Sequence, residues 1–213
     1  MKFYLISPPK INKDFNYEVF DKVTDIISVN FFQFRPKYRS ISERLNFVSK
    51  YYKEISKICK KKKIKMIINN DFEIAEKFVF DGIHLGQKDR MCKEAKQTFG
   101  VKFIVGVSCS NSYELYNEAK NQRADYVAFG PIFKTQSKNK KKINFDEAVF
   151  VLKKLRLPFT LIGGINHNNF MELVKYKPLN LAMIKSIWDY EKGPIESALI
   201  FKKILDEVKT NEN

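Results

Sequence analysis

Three polar residues that alternate along one stretch, Gln33, Arg35 and Lys37, could bind a diphosphate group. Side chains two residues apart share one face of a β-strand, so these three are expected to point the same way. The arginine guanidinium is a planar fork and the lysine ammonium a point charge, a pair suited to phosphate oxygens. Solvated charges at a surface edge are the alternative, and the apolar run Phe31–Phe34 disfavours it.

A second group of residues offers oxygen donors for a metal ion: Asn69, Asn70, Asp71 and Asp89. Oxygen donors of this kind hold Mg²⁺ with help from substrate phosphates. Asn and Asp are also common N-caps of helices. Because Asp71 leads directly into the helical pattern that begins at Phe72, capping is the preferred interpretation for Asp71, and both interpretations stay open for the other three.

The stretch Asp125–Lys138 predicts a strand followed by a phosphate-binding loop. Its apolar part, Tyr126–Phe129, is typical of a buried strand, and Gly130–Pro131 interrupts it. Hydroxyl groups at Thr135 and Ser137 then alternate with other polar residues and lysines. Hydroxyl and ammonium groups in a loop are suited to binding phosphate oxygens.

These residues need a scaffold, and short apolar runs recur along the chain with helical patterns between them. The candidate strands are 3–6, 28–34, 65–68, 82–85, 103–107, 126–129, 159–162 and 181–184. The candidate helices are 16–24, 40–62, 72–79, 88–99, 111–122, 145–155, 167–176 and 195–208. Continuous apolar strands are typical of a parallel sheet that is buried on both faces.

Repeated strand–helix units predict an α/β protein with a single (β/α)₈ TIM barrel over residues 1–213. A doubly wound open sheet is the alternative, but the chain lacks a Gly-x-Gly-x-x-Gly turn after its first strand. Active sites of barrels lie at the C-terminal ends of the strands. The groups described above follow predicted strand ends, as does Ser108.

The ends of the seventh and eighth predicted strands carry Gly163–Gly164 and Ile184–Lys185. Barrels often build a phosphate site from backbone amides at these two positions. A simple tight turn at the paired glycines is the alternative that the sequence leaves open. His84 falls within the fourth strand as a core or wall residue and His167 is expected to be exposed, and neither forms part of a nucleophilic triad.

The composition favours a soluble protein with an anionic partner. Lysine and arginine number 39 against 24 aspartate and glutamate residues, a net charge of +15. The 3 cysteines show no paired spacing, so neither disulfides nor a zinc site is expected and a cytoplasmic location fits best. No apolar run approaches the roughly 20 residues that cross a bilayer, so no membrane partner is expected.

Six motifs in this order resemble thiamine phosphate synthases, within the superfamily that also contains thiazole tautomerases. The resemblance extends from the fourth residue to residue 189. The motifs are Gln33-Phe-Arg-Pro-Lys37, Ile67-Ile-Asn-Asn70, Asp81-Gly-Ile-His-Leu-Gly-Gln-Lys-Asp89, Gly106-Val-Ser108, Gly130-Pro-Ile-Phe-Lys-Thr-Gln-Ser-Lys138 and Ile162-Gly-Gly-Ile165. The family fold is a single (β/α)₈ barrel, in agreement with the pattern above.

The resemblance implies a transferase that couples 4-amino-2-methyl-5-hydroxymethylpyrimidine diphosphate to a thiazole phosphate in a Mg²⁺-assisted dissociative substitution, giving thiamine monophosphate and pyrophosphate. By matching position, the catalytic and pyrimidine-diphosphate-binding residues would be Gln33, Arg35, Lys37, Asn69, Ser108 and Lys138. The thiazole phosphate would be held by Thr135, Gln136, Ser137, Gly164, Ile184 and Lys185. The metal ligands would be Asn70 and Asp89.

Three positions depart from the family pattern. Asn70 stands where the family has a second metal-binding aspartate, so weaker Mg²⁺ binding is expected. Pro36 replaces a common acidic residue, and Lys185 replaces a common serine. The lysine side chain could add charge to the thiazole phosphate site, or it could point to solvent while its backbone amide binds. Solvent contact is the preferred interpretation, because the family contact at this position is made by the backbone.

Other functions stay open. A divergent thiazole isomerase would carry a histidine where this chain has Ser110, and a non-catalytic regulatory relative would keep the fold alone. An RNA-binding protein would fit the basic charge, but the lysine runs lack interleaved aromatic residues, so no nucleic acid is expected. The expected partners are small phosphorylated substrates, and further copies of the chain in a homo-oligomer are compatible with the sequence.

Overall fold

Eight parallel strands pair in chain order, and the last pairs with the first to close a barrel. The structure is a computed structural model that describes residues 2–87, 89–134, 152 and 154–211. The strands are β1 (Lys2–Ile6), β2 (Val29–Phe34), β3 (Lys65–Asn69), β4 (Gly82–Leu85), β5 (Ile104–Ser110), β6 (Tyr126–Phe129), β7 (Phe159–Ile162) and β8 (Asn180–Met183). The predicted α/β fold, a (β/α)₈ TIM barrel, is confirmed.

Helices follow most of the strands and cover the outside of the barrel. They are α1 (Tyr17–Ile26), α2 (Ile41–Lys62), α3 (Phe72–Lys77), α4 (Cys92–Phe99), α5 (Tyr113–Asn121), α6 (Met171–Val174), α7 (Lys185–Trp188) and α8 (Pro194–Asn211). The short helix α7 was not predicted, and α6 is shorter than the predicted helix 167–176. The predicted helix 145–155 lies mostly outside the described residues, and the one-domain organisation of 1–213 stays a prediction.

Alternate residues of the strands form two separate cores. One core lies inside the barrel and contains Tyr4, Ile6, Phe31, Ile67, Tyr126 and Ala182. Their strand neighbours, such as Phe3 and Phe32, pack outward against the helices in the second core. Because both faces of the strands are buried, the strands are apolar throughout rather than alternating.

Local sequence fixes where several helices begin and end. Ser40 and Glu43 form a capping box at the start of α2. The side chain of Asp71 accepts a hydrogen bond from the Ile74 backbone N–H, so its predicted role as an N-cap is confirmed. Gly100 ends α4 with a φ of +93°, a conformation that glycine adopts at little cost.

The expectation that His167 is exposed is wrong. Its side chain is half-buried, with Nε2 3.0 Å from Ser197 Oγ, and its ring packs against Phe201. Burial lowers the pKa of His167 from its usual value. The residue therefore ties the segment before α6 to α8. Among the described ranges, no helix has the length and apolar character needed to span a membrane.

Candidate active site at the C-terminal rim of the barrel

The predicted diphosphate residues Gln33, Arg35 and Lys37 lie at the C-terminal end of β2 and just beyond it. Gln33 is 2% exposed, and its amide nitrogen lies 2.7 Å from the phenol oxygen of Tyr4. Arg35 follows the last residue of this strand and is half-buried. Its backbone N–H donates to Ser7 Oγ, which fixes the chain where it leaves the strand. The side chain of Lys37 is exposed.

Arg35 carries a positive charge in a partly dry environment. Burial lowers the pKa of its guanidinium from the ordinary value, yet arginine stays protonated in proteins. Within the described part of the chain, no carboxylate lies within ion-pairing distance of Arg35. A half-buried cation without a carboxylate partner is costly unless it binds an anion. Arg35 is therefore suited to an anionic ligand.

The two predicted metal ligands, Asn70 and Asp89, are in contact on the neighbouring part of the rim. The side-chain nitrogen of Asn70 donates to a carboxylate oxygen of Asp89 at 3.1 Å. The second carboxylate oxygen of Asp89 accepts the backbone N–H of Gly86. Asn69 donates its side-chain amide to the side-chain oxygen of Asn70. The predicted residues of β3 and of the loop after β4 thus form one polar cluster.

This cluster fits a magnesium ion that is shared with a ligand. Mg²⁺ is usually bound by one or two carboxylates, with phosphate oxygens and water completing the octahedron. Asp89 supplies one carboxylate. The Asn70 side-chain amide now turns its nitrogen toward Asp89, so it would have to rotate to offer its oxygen to the metal. The described residues contain no group of three or more acidic, histidine or cysteine ligands. The donor set therefore fits Mg²⁺ only together with the phosphates of a substrate.

Ser108 on β5 is connected to the barrel interior by His84, a histidine that was predicted to be a core or wall residue and not part of the site. His84 Nε2 lies 2.9 Å from Ser108 Oγ, and His84 Nδ1 lies 3.0 Å from the Tyr126 hydroxyl. The hydroxyls of Tyr126 and Tyr4 are 3.0 Å apart. Since Tyr4 also contacts Gln33, the two predicted site residues Gln33 and Ser108 are joined by an unbroken row of polar contacts.

The loops after β6 and β7 support each other. The Ile132 and Phe133 backbone N–H groups donate to the carbonyls of Ile162 and Gly163, each at 3.0 Å. A Cβ atom at Gly164 would lie 2.6 Å from the Lys134 carbonyl oxygen, so a larger residue does not fit there. The glycine pair therefore does more than make a tight turn, because it allows the two loops to approach closely.

The remaining predicted phosphate residues fall into two groups. Ile184 directly precedes α7, and Lys185 is the first residue of this helix with an exposed side chain, as expected for solvent contact. Gly164 and Lys185 both follow strand ends at the same rim. Thr135, Gln136, Ser137 and Lys138 lie outside the described residues, so their predicted roles stay predictions.

Fold and rim together define a (β/α)₈ barrel that carries a half-buried arginine and a cluster of oxygen donors at the C-terminal ends of its strands. The family model described as thiamine monophosphate synthase matches residues 3–187. The chain belongs to this family. A thiamine-phosphate synthase of Pelagibacter ubique is 38% identical over 202 residues, covering 91% of this chain and 92% of the relative. One of Lactococcus lactis subsp. lactis is 31% identical over 210 residues, covering 95% and 90%.

Solved structures support the fold. Thiamine phosphate pyrophosphorylase from Pyrococcus furiosus superposes with a TM-score of 0.78 at 23% identity, covering 97% of this chain and 96% of that chain. A 3-hexulose-6-phosphate synthase from Salmonella typhimurium has a TM-score of 0.65 at 16% identity, covering 97% and 99%. Since a barrel named for a different reaction also superposes over nearly its whole length, these structures establish the fold alone.

Proposed function

We propose that this chain joins 4-amino-2-methyl-5-hydroxymethylpyrimidine diphosphate to a thiazole phosphate, forming thiamine monophosphate and releasing pyrophosphate. Its family membership makes it an enzyme of the transferase class. The observation that supports the choice of substrate is Arg35, a half-buried cation without a carboxylate partner among the described residues, two positions beyond the buried Gln33. A diphosphate attached to a flat polar ring matches that arrangement.

The proposed reaction is a dissociative substitution. The bond between the pyrimidine methylene carbon and the diphosphate oxygen breaks, and its electron pair leaves with the diphosphate. The methylene cation that remains is stabilised by the electron-rich ring, and the thiazole nitrogen lone pair then forms the new C–N bond. Arg35 and Lys37 would bind the charge that develops on the leaving diphosphate, which is electrostatic stabilisation by groups already in place.

This reaction needs no nucleophile from the protein, and the described cysteines are unsuited to that role. All three are buried. Burial raises the pKa of the Cys92 thiol to about 11 and of Cys59 and Cys109 to about 12. They remain thiols at neutral pH, whereas a nucleophilic cysteine reacts as the thiolate. Positioning of the two substrates, rather than covalent catalysis, is the contribution expected from the site.

Magnesium would be held by Asp89 and Asn70 together with the substrate diphosphate. When bound, the ion supplies positive charge that makes the diphosphate a better leaving group. The chain contributes the Asp89 carboxylate, which the Gly86 N–H holds in place, and the side chain of Asn69, which contacts Asn70.

The thiazole phosphate would lie on the opposite part of the rim. The backbone at Gly164 and at Ile184–Lys185 follows β7 and β8, where barrels commonly bind phosphate through amide groups. Thr135, Gln136 and Ser137 would contribute from the loop after β6, and Lys138 would reach the diphosphate. The loop after β6 would then meet both substrates, which places the thiazole nitrogen near the pyrimidine methylene.

The experiment is incubation of the purified chain with both phosphorylated precursors and Mg²⁺, followed by chromatographic detection of thiamine phosphate. Product formation that requires both precursors supports the proposal. A folded chain that forms no product would contradict it and favour a non-catalytic relative. Two observations already disfavour other functions. Ser110 stands where the isomerase has histidine. Lys62, within the lysine run at positions 60–63, forms ion pairs with Asp21 and Asp25 instead of being free to bind RNA.

A further inference from the structure

A row of buried hydrogen-bonding groups crosses the barrel interior below the rim. It connects Gln33, Tyr4, Tyr126, His84 and Ser108, which come from β2, β1, β6, β4 and β5. Both tyrosines are about 1% exposed and His84 is 9% exposed. We name these five residues the barrel relay. Its three inner members have no assigned role in the reaction proposed above.

Both phenols of the relay keep their protons. Burial raises the pKa of Tyr4 and raises that of Tyr126 well above its usual value. A neutral phenol has a single proton to donate. Each tyrosine can therefore donate one hydrogen bond within the relay and must accept the other, so the direction of one contact determines the direction of the next.

The amide nitrogen of Gln33 sets this direction. It faces the Tyr4 oxygen at 2.7 Å, and an amide nitrogen can only donate. Tyr4 consequently donates to Tyr126, 3.0 Å away, and Tyr126 donates to Nδ1 of His84, also 3.0 Å away. Nδ1 then carries no proton, so the imidazole is the neutral tautomer with its hydrogen on Nε2. That hydrogen is donated to Ser108 Oγ at 2.9 Å.

The two ends of the relay have opposite hydrogen-bonding character, an acceptor at Gln33 and a donor at Ser108. The Gln33 carbonyl oxygen is available as an acceptor, because its amide nitrogen is used by Tyr4. The Ser108 oxygen accepts from His84, so the serine hydroxyl is a donor. We infer that the barrel relay is a specificity device, in which Tyr4, Tyr126 and His84 are positioning residues that set the hydrogen-bond polarity of Gln33 and Ser108.

The ligand that fits this polarity gives a hydrogen bond to Gln33 and takes one from Ser108. A 4-aminopyrimidine does so, because its exocyclic amine donates and its ring nitrogens accept. A 4-oxopyrimidine has the reverse pattern, with an exocyclic acceptor and a hydrogen on the adjacent ring nitrogen. The inference rests on the proposed function for the choice of a pyrimidine, and it adds the reason why an amine is selected over an oxo group.

The glycine at the centre of β5 supports the idea that the ring of Tyr126 is held for this purpose. A Cβ atom at Gly106 would overlap the ring and hydroxyl of Tyr126. The aromatic ring also packs against Phe31 and Tyr4 with centroids 5.2 and 6.1 Å away. Phenylalanine at position 126 would keep this packing and remove only the hydroxyl, so Tyr126→Phe is expected to fold.

The test is calorimetric binding of two non-reacting probes, the monophosphates of the 4-amino-5-hydroxymethylpyrimidine and of its 4-oxo analogue. The wild-type chain should bind the amino compound roughly 10- to 100-fold more tightly, since a mismatched buried hydrogen bond costs about that much. In Tyr126→Phe the preference should fall to within about threefold, because the tautomer of His84 is no longer fixed. Tyr4→Phe interrupts the relay at another contact and should do the same.

Tyr116→Phe is the matched control. Tyr116 is 1% exposed, and its hydroxyl accepts the Arg156 backbone N–H at 2.9 Å, outside the relay. This variant loses a buried hydrogen bond but should keep the wild-type preference. If both relay variants keep that preference, or the wild type has none, the inference is overturned, whereas synthesis of thiamine phosphate by the wild type would still support the proposed function. Failure of that synthesis would instead contradict the function.

Discussion

The side-chain amide of Asn70 donates a hydrogen bond to the carboxylate of Asp89 across 3.1 Å, joining the ends of β3 and β4. Asn70 has a φ of 45°, a left-handed conformation that Asn and Asp adopt more readily than most residues. Its backbone N–H donates to the His84 carbonyl, which holds the turn in place. An aspartate would fit the same backbone, but its carboxylate would face that of Asp89.

Asn70→Asp is therefore expected to strengthen Mg²⁺ binding and to weaken the metal-free protein. Two carboxylates at this distance repel each other until a cation lies between them. We expect the Mg²⁺ concentration for half-maximal activity to fall about tenfold, since added ligand charge raises affinity. Without Mg²⁺, Asn70→Asp should unfold at a lower temperature than the wild type, and added Mg²⁺ should raise its unfolding temperature again.

The control for this variant is Asn121→Asp. Asn121 is an exposed residue at the end of α5, at the opposite end of the barrel from the rim. Asn121→Asp adds the same charge far from Asp89 and should leave the Mg²⁺ dependence unchanged. A Mg²⁺ requirement in Asn70→Asp equal to that of the wild type would show that this residue is not a metal ligand.

Arg35→Ala should lose far more activity than Lys61→Ala. Arg35 is half-buried at the rim, whereas Lys61 is exposed near the end of α2. Removal of one group that stabilises charge in a transition state costs about 10²- to 10³-fold in turnover. Steady-state kinetics with both precursors should show that loss for Arg35→Ala and less than about a twofold change for Lys61→Ala, as expected for a surface charge. Similar losses in the two variants would place the diphosphate elsewhere.

Much of the rim was predictable because strand ends are marked by local sequence. Apolar runs located β3, β4 and β7 closely, and a glycine marks the end of the last two. These three strand ends carry or lead to Asn69, Asp89 and Gly164. Period-two spacing placed Gln33 and Arg35 on one face. The rule that the C-terminal ends of barrel strands meet at one rim was then enough to predict that these residues share a site. The prediction missed α7 and made α6 too long, because a helix of one turn has too few residues to show a periodic pattern.

The barrel relay was not predictable from the chain. The hydroxyls of Tyr4 and Tyr126 are in contact although the residues are 122 positions apart. Each tyrosine sits in an apolar run, where its ring alone explains its presence. His84 likewise fits the pattern of a core strand. A hydrogen bond between inward residues of distant strands depends on the register of the closed barrel, which local spacing does not encode.

Stability should fall in alkaline solution because the buried thiols resist ionisation. Burial raises the pKa of Cys59 from 9.0 to about 12, so above pH 9 the unfolded chain releases this proton while the folded chain keeps it. The free energy of unfolding should then decrease with rising pH by about 1.4 kcal/mol per pH unit for this thiol. The free energy of unfolding, measured in urea at several pH values between 9 and 11, should decrease less steeply with pH in Cys59→Ala than in the wild type, by about that amount per pH unit. An unchanged slope would contradict the role of this group.

Gly164→Ala should weaken the binding of the thiazole phosphate specifically. The new Cβ would lie 2.6 Å from the Lys134 carbonyl oxygen and 2.8 Å from Phe133 Cβ, so the loops after β6 and β7 must separate. Gly193→Ala is the control, because Gly193 has a similar φ of +88° and no atom within 4 Å of an added Cβ. Both variants should lose about 1 kcal/mol of stability from backbone strain. Only Gly164→Ala should raise the KM for the thiazole phosphate, and equal KM values would argue against this phosphate site.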